Sequence, residues 1–559
     1  VDSPSLAAHI REGAAAHDGC PLVFAGADGE RATTLGALVS DAERAAAALQ
    51  ARGIGHGDVV AVQLPGSYEG AVIQAAVGLC GAVLLPVVMI YGHREMDVLL
   101  RRSGAAAVIL PREHRGRPHA DVVLGGLSRL PALKFAVVTG DDGPGHGAIG
   151  YAGLLAEPGG TYRQPHPGPD DRAVLMYTSG TTAEPKGVQH SHRTLLAEAT
   201  SRVYTLNGPG ARHLGLFPPG HMAGLLSLLR ILLLGTPTVI MQAWEAALAA
   251  ELIDRHAVTS CGGAPVQLSG LLDRQASGAV SLGTLREFLT GAAPVPPSLV
   301  RRADAAGITA FRSYGSSEHP TVTAGTIDDP LGVRAETDGR LLPGNQVRLV
   351  GADGRDVPDG HEGEIVTRGP ELFTGYTDQA LNAAAFLPGG WFRTGDLGRI
   401  DEAGHLTVTD RLKDIIIRGG ENISSKEVED LLITHPAVAD VAVIPVPDPA
   451  LGERVCAVVV ARPGFTFDIE QARAHVAAAG AARQKTPEVI VLADELPRTP
   501  SGKVRKDVLR AGHVPLSGRQ MGREALREVH MKCAATGSVR WPPARTGPHR
   551  RSPAQGKVE

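Results

Sequence analysis

Apolar residues recur at helical spacing from Thr33 to Arg52 (Leu35, Leu38, Val39, Ala42, Ala46, Leu49), and Gly53 and Gly55 end the helix that this spacing predicts. Asp58–Leu64 is then almost continuously apolar, the texture of a strand buried on both faces. A second helix is predicted over Ser67–Gly81, and further strands over Ala82–Val87, Ala105–Leu110 and Lys134–Thr139. Strands alternating with helices predict a mostly parallel, doubly wound sheet. The glycines of Gly53–Asp58 follow a helix and precede a strand, so they stop a helix and do not form a dinucleotide fingerprint. Leu225–Met241 is the most apolar stretch; Arg230, Gly235 and Pro237 break it into a buried helix, a turn and a strand, too short to span a membrane.

From about Gly339 the pattern changes to short strands between Gly/Asp turns: Gln346–Val350, Gly363–Thr367 and Gly404–Val408. This predicts a β-rich subdomain. Ser424–Leu432 opens with hydroxyl caps followed by acids, as a helix does, and strands over Val438–Val446 and Arg454–Ala461 and a helix over Ile469–Ala479 follow. The expected fold is α/β: a large amino-terminal domain of doubly wound sheets with the β-rich subdomain (1–410), then a small α+β carboxyl-terminal domain (411–510).

The length of 559 residues requires at least two domains, and the composition is ordinary for a globular chain. A net charge of −4 argues against nucleic acid as the main partner. Residues 511–559 differ: nine Lys/Arg stand against three Asp/Glu without periodicity, which predicts a basic, disordered tail. The five cysteines are scattered with no C-x-x-C spacing, so neither a disulfide framework nor a zinc site is expected and a reducing cytoplasm fits. The amino terminus lacks the basic start and apolar run of a signal peptide, and no stable membrane insertion is expected.

The chemistry centres on Tyr177–Gly187, YTSGTTAEPKG, which lies between two strand-like runs. Hydroxyls, backbone N–H groups freed by glycine, and a lysine suit a polyphosphate. It is not a Walker A loop. Gly180 has Lys186 six residues on, but Pro185 stands at the second glycine and Gly187 at the magnesium-binding hydroxyl. The stretch instead resembles the phosphate loop of the acyl- and aryl-CoA synthetase, peptide-synthetase adenylation domain and luciferase superfamily of adenylate-forming enzymes. Four further motifs in the same order extend that resemblance over roughly residues 20–510.

The resemblance implies an assignment for each motif. Thr178, Ser179, Gly180, Thr181, Thr182 and Lys186 would hold phosphates, and Gly291, Ala292 and Ala293 would border adenine. Phe311–Glu318 resembles the Tyr-Gly-x-Thr-Glu motif: Tyr314 packs on adenine, Gly315, Ser316 and Ser317 shape the nucleotide site, and Glu318 binds magnesium, with Ser317 in place of the usual threonine. Asp396 and Arg411 would take the ribose. Lys413 would be the hinge of a mobile small domain, Gly420 would line the thiol tunnel, and Lys503 would be the adenylation lysine. His221 reads alone as a structural histidine; the resemblance places it between acyl pocket and thiol channel. His190 and His192 lack a third ligand in a metal-binding pattern.

The implied activity is ATP- and Mg2+-dependent conversion of a carboxylic acid to acyl-AMP, then to acyl-CoA. In texture the chain resembles bacterial ligases for short-chain, cyclohexanecarboxylate-type or medium-chain acids. Amino-acid-activating relatives keep an aspartate after the phosphate loop; His221–Leu229 has no acid, so an acid without an α-amino group is expected, in an apolar pocket formed partly by Met222 and Leu225. The partners are then a small carboxylic acid, ATP and CoA, and a homodimer is compatible with them. The alternatives are an acyl-AMP ligase loading a carrier protein's phosphopantetheine and a catalytically silent nucleotide-binding module.

Overall fold

The computed structural model describes residues 5–512 apart from 27–28, 127–129, 141–144, 146, 157–160, 179–184, 202–209, 279, 419–420, 449–450 and 500–501. Residues 513–559, and with them nearly all of the expected basic tail, lie outside the described residues. Among the described residues no helix is long and apolar enough to cross a membrane. Cys20, Cys80, Cys261 and Cys456 are free thiols.

The continuous apolar runs become the inner strands of two large sheets. In one, Val59–Val62 lies between Val83–Pro86 and Ala107–Pro111, all parallel, and every residue of these strands is buried. In the other, Pro21–Gly26, Thr238–Met241, His213–Gly215, Ser260–Gly263, Glu287–Thr290 and Thr309–Tyr314 run parallel in that order. Alternating residues have no solvent face here, because helices cover both sides.

Between the sheets lies a layer of helices, where Met222–Leu234 packs on Leu6–Ala16 and His192–Thr200. The close crossing depends on Gly13: a Cβ there would come within 2.2 Å of the Leu232 carbonyl oxygen. The β-rich subdomain is a five-stranded sheet containing Gln346–Val350, Gly363–Arg368 and Trp391–Ile400, with Leu406–Arg411 paired to the last. A separate sheet around the long hairpin Val438–Asp448/Gly452–Ala461 has its own core, including Ile416, Val428, Val443 and Val476.

Both large sheets direct the carboxyl ends of their parallel strands toward one cleft. That is where ligands gather in open α/β sheets, since the strand ends and the loops that follow them border that space.

Candidate active site

The phosphate-loop motif joins two antiparallel strands. Arg172–Thr178 and Lys186–Ser191 pair so that Thr178 stands opposite Lys186. Both line the cleft with His221, Glu318, Asp396 and Lys503. Ser179, Gly180, Thr181 and Thr182, and Gly420 of the expected tunnel, lie outside the described residues.

Lys186 Nζ lies 5.2 Å from the centroid of the Tyr376 ring, within cation–π range. The Tyr376 hydroxyl donates to Glu318 Oε1 at 2.8 Å. Burial, and next the Glu318 carboxylate, push the phenol above its ordinary range, so it remains a neutral donor. Lysine, tyrosine and glutamate thus form one chain of contacts along the cleft.

The Tyr314–Glu318 turn is built tightly. A Cβ on Gly315 would fall 1.9 Å from the Pro320 carbonyl oxygen, so only glycine fits. Ser316 Oγ accepts from the backbone N–H groups of Glu318 (3.2 Å) and His319 (3.1 Å). The Ser317 carbonyl accepts from His190 Nε2 at 2.8 Å; a carbonyl only accepts, so that nitrogen carries the proton. Burial lowers His190 to about 4, and the ring braces the turn as a neutral group. His192 Nδ1 accepts from the Leu6 N–H at 3.2 Å. Among the described residues no group of three or more His, Cys, Asp and Glu is placed to hold a metal by itself.

Asp396 faces Arg411 across the antiparallel pair Trp391–Ile400/Leu406–Arg411. Arg411 Nε is 2.8 Å from Asp396 Oδ1, and the Tyr314 hydroxyl donates to Oδ2 at 2.8 Å. Burial, then Asp396, hold Tyr314 well above the usual phenol range. A carboxylate has about four lone-pair sites, so two remain for hydroxyl donors from the cleft. Gly291, Ala292 and Ala293 line the same space, with Ala292 at φ +63°, a left-handed conformation that alanine adopts only under constraint.

Lys503 reaches the cleft from the carboxyl-terminal layer. The Thr499 N–H donates to the Lys503 carbonyl (2.7 Å), and Thr499 Oγ1 accepts from the Lys503 N–H (3.1 Å). Gly502, at φ +85°, sits so close to Val266 of the helix Pro265–Ala276 that a Cβ would lie 2.8 Å from its methyl group. The loop is therefore seated on the large domain. Burial, and after it the Arg411 charge, lower the Lys503 ammonium to about 8, with Asp396 opposing. Lys413 is likewise lowered, first by burial and then by Arg411.

The model of the AMP-binding enzyme family matches residues 10–377, and that of the AMP-binding enzyme C-terminal domain matches residues 427–503. The chain belongs to the AMP-binding enzyme family. It is 34% identical over 464 residues to the medium-chain fatty-acid–CoA ligase of Escherichia coli (strain K12), covering 82% of either chain. It is 34% identical over 485 residues to the indoleacetate–CoA ligase of Aromatoleum aromaticum, covering 86% of this chain and 93% of that one. Among solved structures, ATP-bound MatB from Rhodopseudomonas palustris superposes with a TM-score of 0.79 at 28% identity, over 91% of this chain and 98% of that chain.

The wall beyond His221 differs from the sequence expectation in two respects. His221 caps the helix Met222–Leu234 and its ring, lowered to about 4 by burial, is neutral; among the described residues its Nε2 has no hydrogen-bond partner. Met222, Ala223 and Leu226 line the cleft, but Leu225, 1% exposed, points into the core beside Leu6 and Ile10. The lining is also not wholly apolar, because Glu198 and Arg230 share it and are ion-paired at 2.7 Å. Sequence reasoning missed both of these and Tyr376. The partners lie 32 and 58 residues apart, and no local spacing marks such pairs.

Proposed function

We propose that this AMP-binding enzyme activates a carboxylic acid without an α-amino group as its acyl-adenylate and transfers the acyl group to CoA. The observation that carries the proposal is the convergence of Lys186, Glu318, the Asp396–Arg411 pair and Lys503 on one cleft. Asp396 and Arg411 hold the ribose, and Tyr314 with Gly291–Ala293 borders adenine. A carboxylate oxygen of the acid attacks the α-phosphorus of ATP and pyrophosphate leaves. Thr178 and Lys186, with the intervening hydroxyls, orient the phosphates, and Lys503 offsets charge built up at the reacting centre.

Glu318, a single carboxylate at the phosphate end of the cleft, fits the way magnesium is held by one protein carboxylate plus phosphate oxygens. When bound, magnesium neutralises phosphate charge. In the second step the CoA sulfur attacks the acyl carbonyl carbon, the thiol proton is released and AMP leaves. Residues 411–510 rotate about Lys413 between the two steps, withdrawing Lys503. The CoA ligases among the relatives support CoA over a carrier protein as acceptor, and both cosubstrates suit a cytoplasmic setting.

Glu198 borders the cleft but does not supply a counter-charge for a substrate ammonium, because it is already ion-paired with Arg230 and accepts from Thr321. The non-amino acid remains the better fit. ATP–pyrophosphate exchange should depend on added acid, and AMP should accumulate with CoA when hexanoate, benzoate or cyclohexanecarboxylate is supplied. An enzyme that preferred any α-amino acid to all three would refute the substrate class. Glu318→Gln should raise the magnesium concentration needed for half-maximal exchange by about 10–100-fold, a range already reached by losing partners of a metal's ligands. An unchanged magnesium dependence would remove Glu318 from that role.

A further inference from the structure

Tyr376 stands on the short edge strand Gly375–Tyr376, which pairs antiparallel with Lys186–Ser191 so that Val188 faces Tyr376 and Gln189 faces Gly375. The strand that carries Lys186 and the segment that carries Tyr376 therefore move as one piece of sheet. They approach closely beside the lysine: the Thr377 N–H donates to the Gly187 carbonyl at 2.8 Å, and a Cβ on Gly187 would fall 2.6 Å from Thr377 Oγ1. The same segment reaches Glu318 twice. The Phe373 N–H donates to the Glu318 carbonyl at 2.8 Å, and the Tyr376 hydroxyl donates to Glu318 Oε1 at 2.8 Å. Residues 373–376 thus hold the backbone and the side chain of one glutamate while paired to the strand of Lys186.

Tyr376 is itself fixed at both ends. Asn382, on the helix Gln379–Ala385, brackets its backbone: Oδ1 accepts from the Tyr376 N–H at 2.8 Å, and Nδ2 donates to the Tyr376 carbonyl at 3.1 Å. The ring packs edge-to-face with Phe373, centroids 4.9 Å apart, in a cluster with Val188 and Phe392. Its hydroxyl is therefore aimed by the fold. A glutamate side chain loses considerable rotamer freedom when it is ordered, and a donor fixed on one oxygen orders it before a ligand arrives. A carboxylate has about four lone-pair sites, so the tyrosine leaves others for that ligand. The face of the same ring lies under Lys186 Nζ.

We propose that Tyr376 is a positioning residue for the phosphate end of the cleft: its hydroxyl sets the Glu318 carboxylate toward the magnesium–phosphate complex, and its ring face holds Lys186 beside it. This deepens the adenylation reading and rests on Glu318 as the magnesium carboxylate. The hydroxyl acts through Glu318 and the ring through Lys186, so the two roles separate by substitution. Tyr376→Phe removes the hydroxyl and keeps the ring; Tyr376→Leu removes both.

The test measures equilibrium binding of ATP by calorimetry, without acid and so without turnover, across a range of Mg2+ concentrations. Tyr376→Phe should raise the Mg2+ concentration for half-maximal ATP binding by about 10-fold or more, the loss typical of removing the partner of a metal's ligand. Its ATP affinity at saturating Mg2+ should stay near the wild-type value. Tyr376→Leu should in addition weaken ATP binding at saturating Mg2+ by about 2–5-fold, as expected for one cation–π contact. In Glu318→Gln/Tyr376→Phe the Mg2+ requirement should be no higher than in Glu318→Gln alone, because both changes remove one interaction. A purely structural tyrosine would not move the Mg2+ requirement in a folded Tyr376→Phe, and that result overturns the proposal. A double variant whose losses multiply overturns it as well, as does a folded Tyr376→Leu that binds ATP like Tyr376→Phe. If Tyr376→Leu does not fold, Tyr376→Phe and the double variant decide. An unchanged Mg2+ requirement in Glu318→Gln would instead refute the magnesium reading beneath the proposal.

Discussion

Lys503→Ala lowers acyl-adenylate formation by about 10²–10³, the loss typical of removing one preorganised donor from a charged transition state. The expectation rests on a lysine brought into the Asp396–Arg411 end of the cleft by a loop seated on Val266. Thioester formation from supplied acyl-adenylate should survive if, as proposed, the small domain rotates and withdraws Lys503 for that step. Stopped-flow or exchange measurements of the two half-reactions separate these outcomes. Equal loss in both, from a folded variant, would show that Lys503 does not serve adenylation alone.

The same side chain sets a pH dependence. With its ammonium lowered to about 8, Lys503 is charged below that value and loses its proton as pH rises through it. Adenylation by the wild-type enzyme should therefore fall above about pH 8 for this group's part. Lys503→Arg, if it supports turnover, should keep its rate to higher pH, since a guanidinium does not titrate there.

The largest stability effect is expected at Asp338. Its Oδ1 accepts from Arg312 Nε (2.9 Å) and Nη2 (2.7 Å), and its Oδ2 accepts from the Val408 N–H at 2.8 Å. The side chains of Arg312 and Asp338 are 2% and 7% exposed, so neither charge has water to fall back on. Asp338→Ala leaves the Arg312 guanidinium buried without its counter-ion, which should cost about 3–5 kcal/mol. The pair also ties the strand Thr309–Tyr314 to Leu406–Arg411, so the two strands that bring Tyr314 and Arg411 to Asp396 are held together. Urea unfolding of the large domain checks the figure. A loss below about 1 kcal/mol would place the interaction among exposed pairs, against its burial.

Much of the fold was legible along the chain because its periods differ. Short continuous apolar runs rich in valine and bounded by glycine turns, such as Val59–Val62, read as strands covered on both faces, and they are. The motif residues were legible for a different reason: Tyr314, Asp396 and Arg411 sit in compact stretches that resemble the family's motifs, and the fold brings the three side chains together. What the sequence did not specify was direction and partnership. The helix Met222–Leu234 is apolar almost all round, so its pattern does not say which face meets the cleft; only packing against Leu6 and Ile10 turns Leu225 inward and leaves Met222, Leu226 and Arg230 at the wall. His190, read from sequence as an unlikely metal ligand, became a brace for Ser317 because a strand edge and a distant turn meet. Tyr376–Glu318 and Glu198–Arg230 likewise arise from segments far apart in the chain. Hydrophobic periodicity records burial against the helix or sheet axis, a local property, whereas hydrogen-bond and charge partners across elements are chosen by how those elements pack.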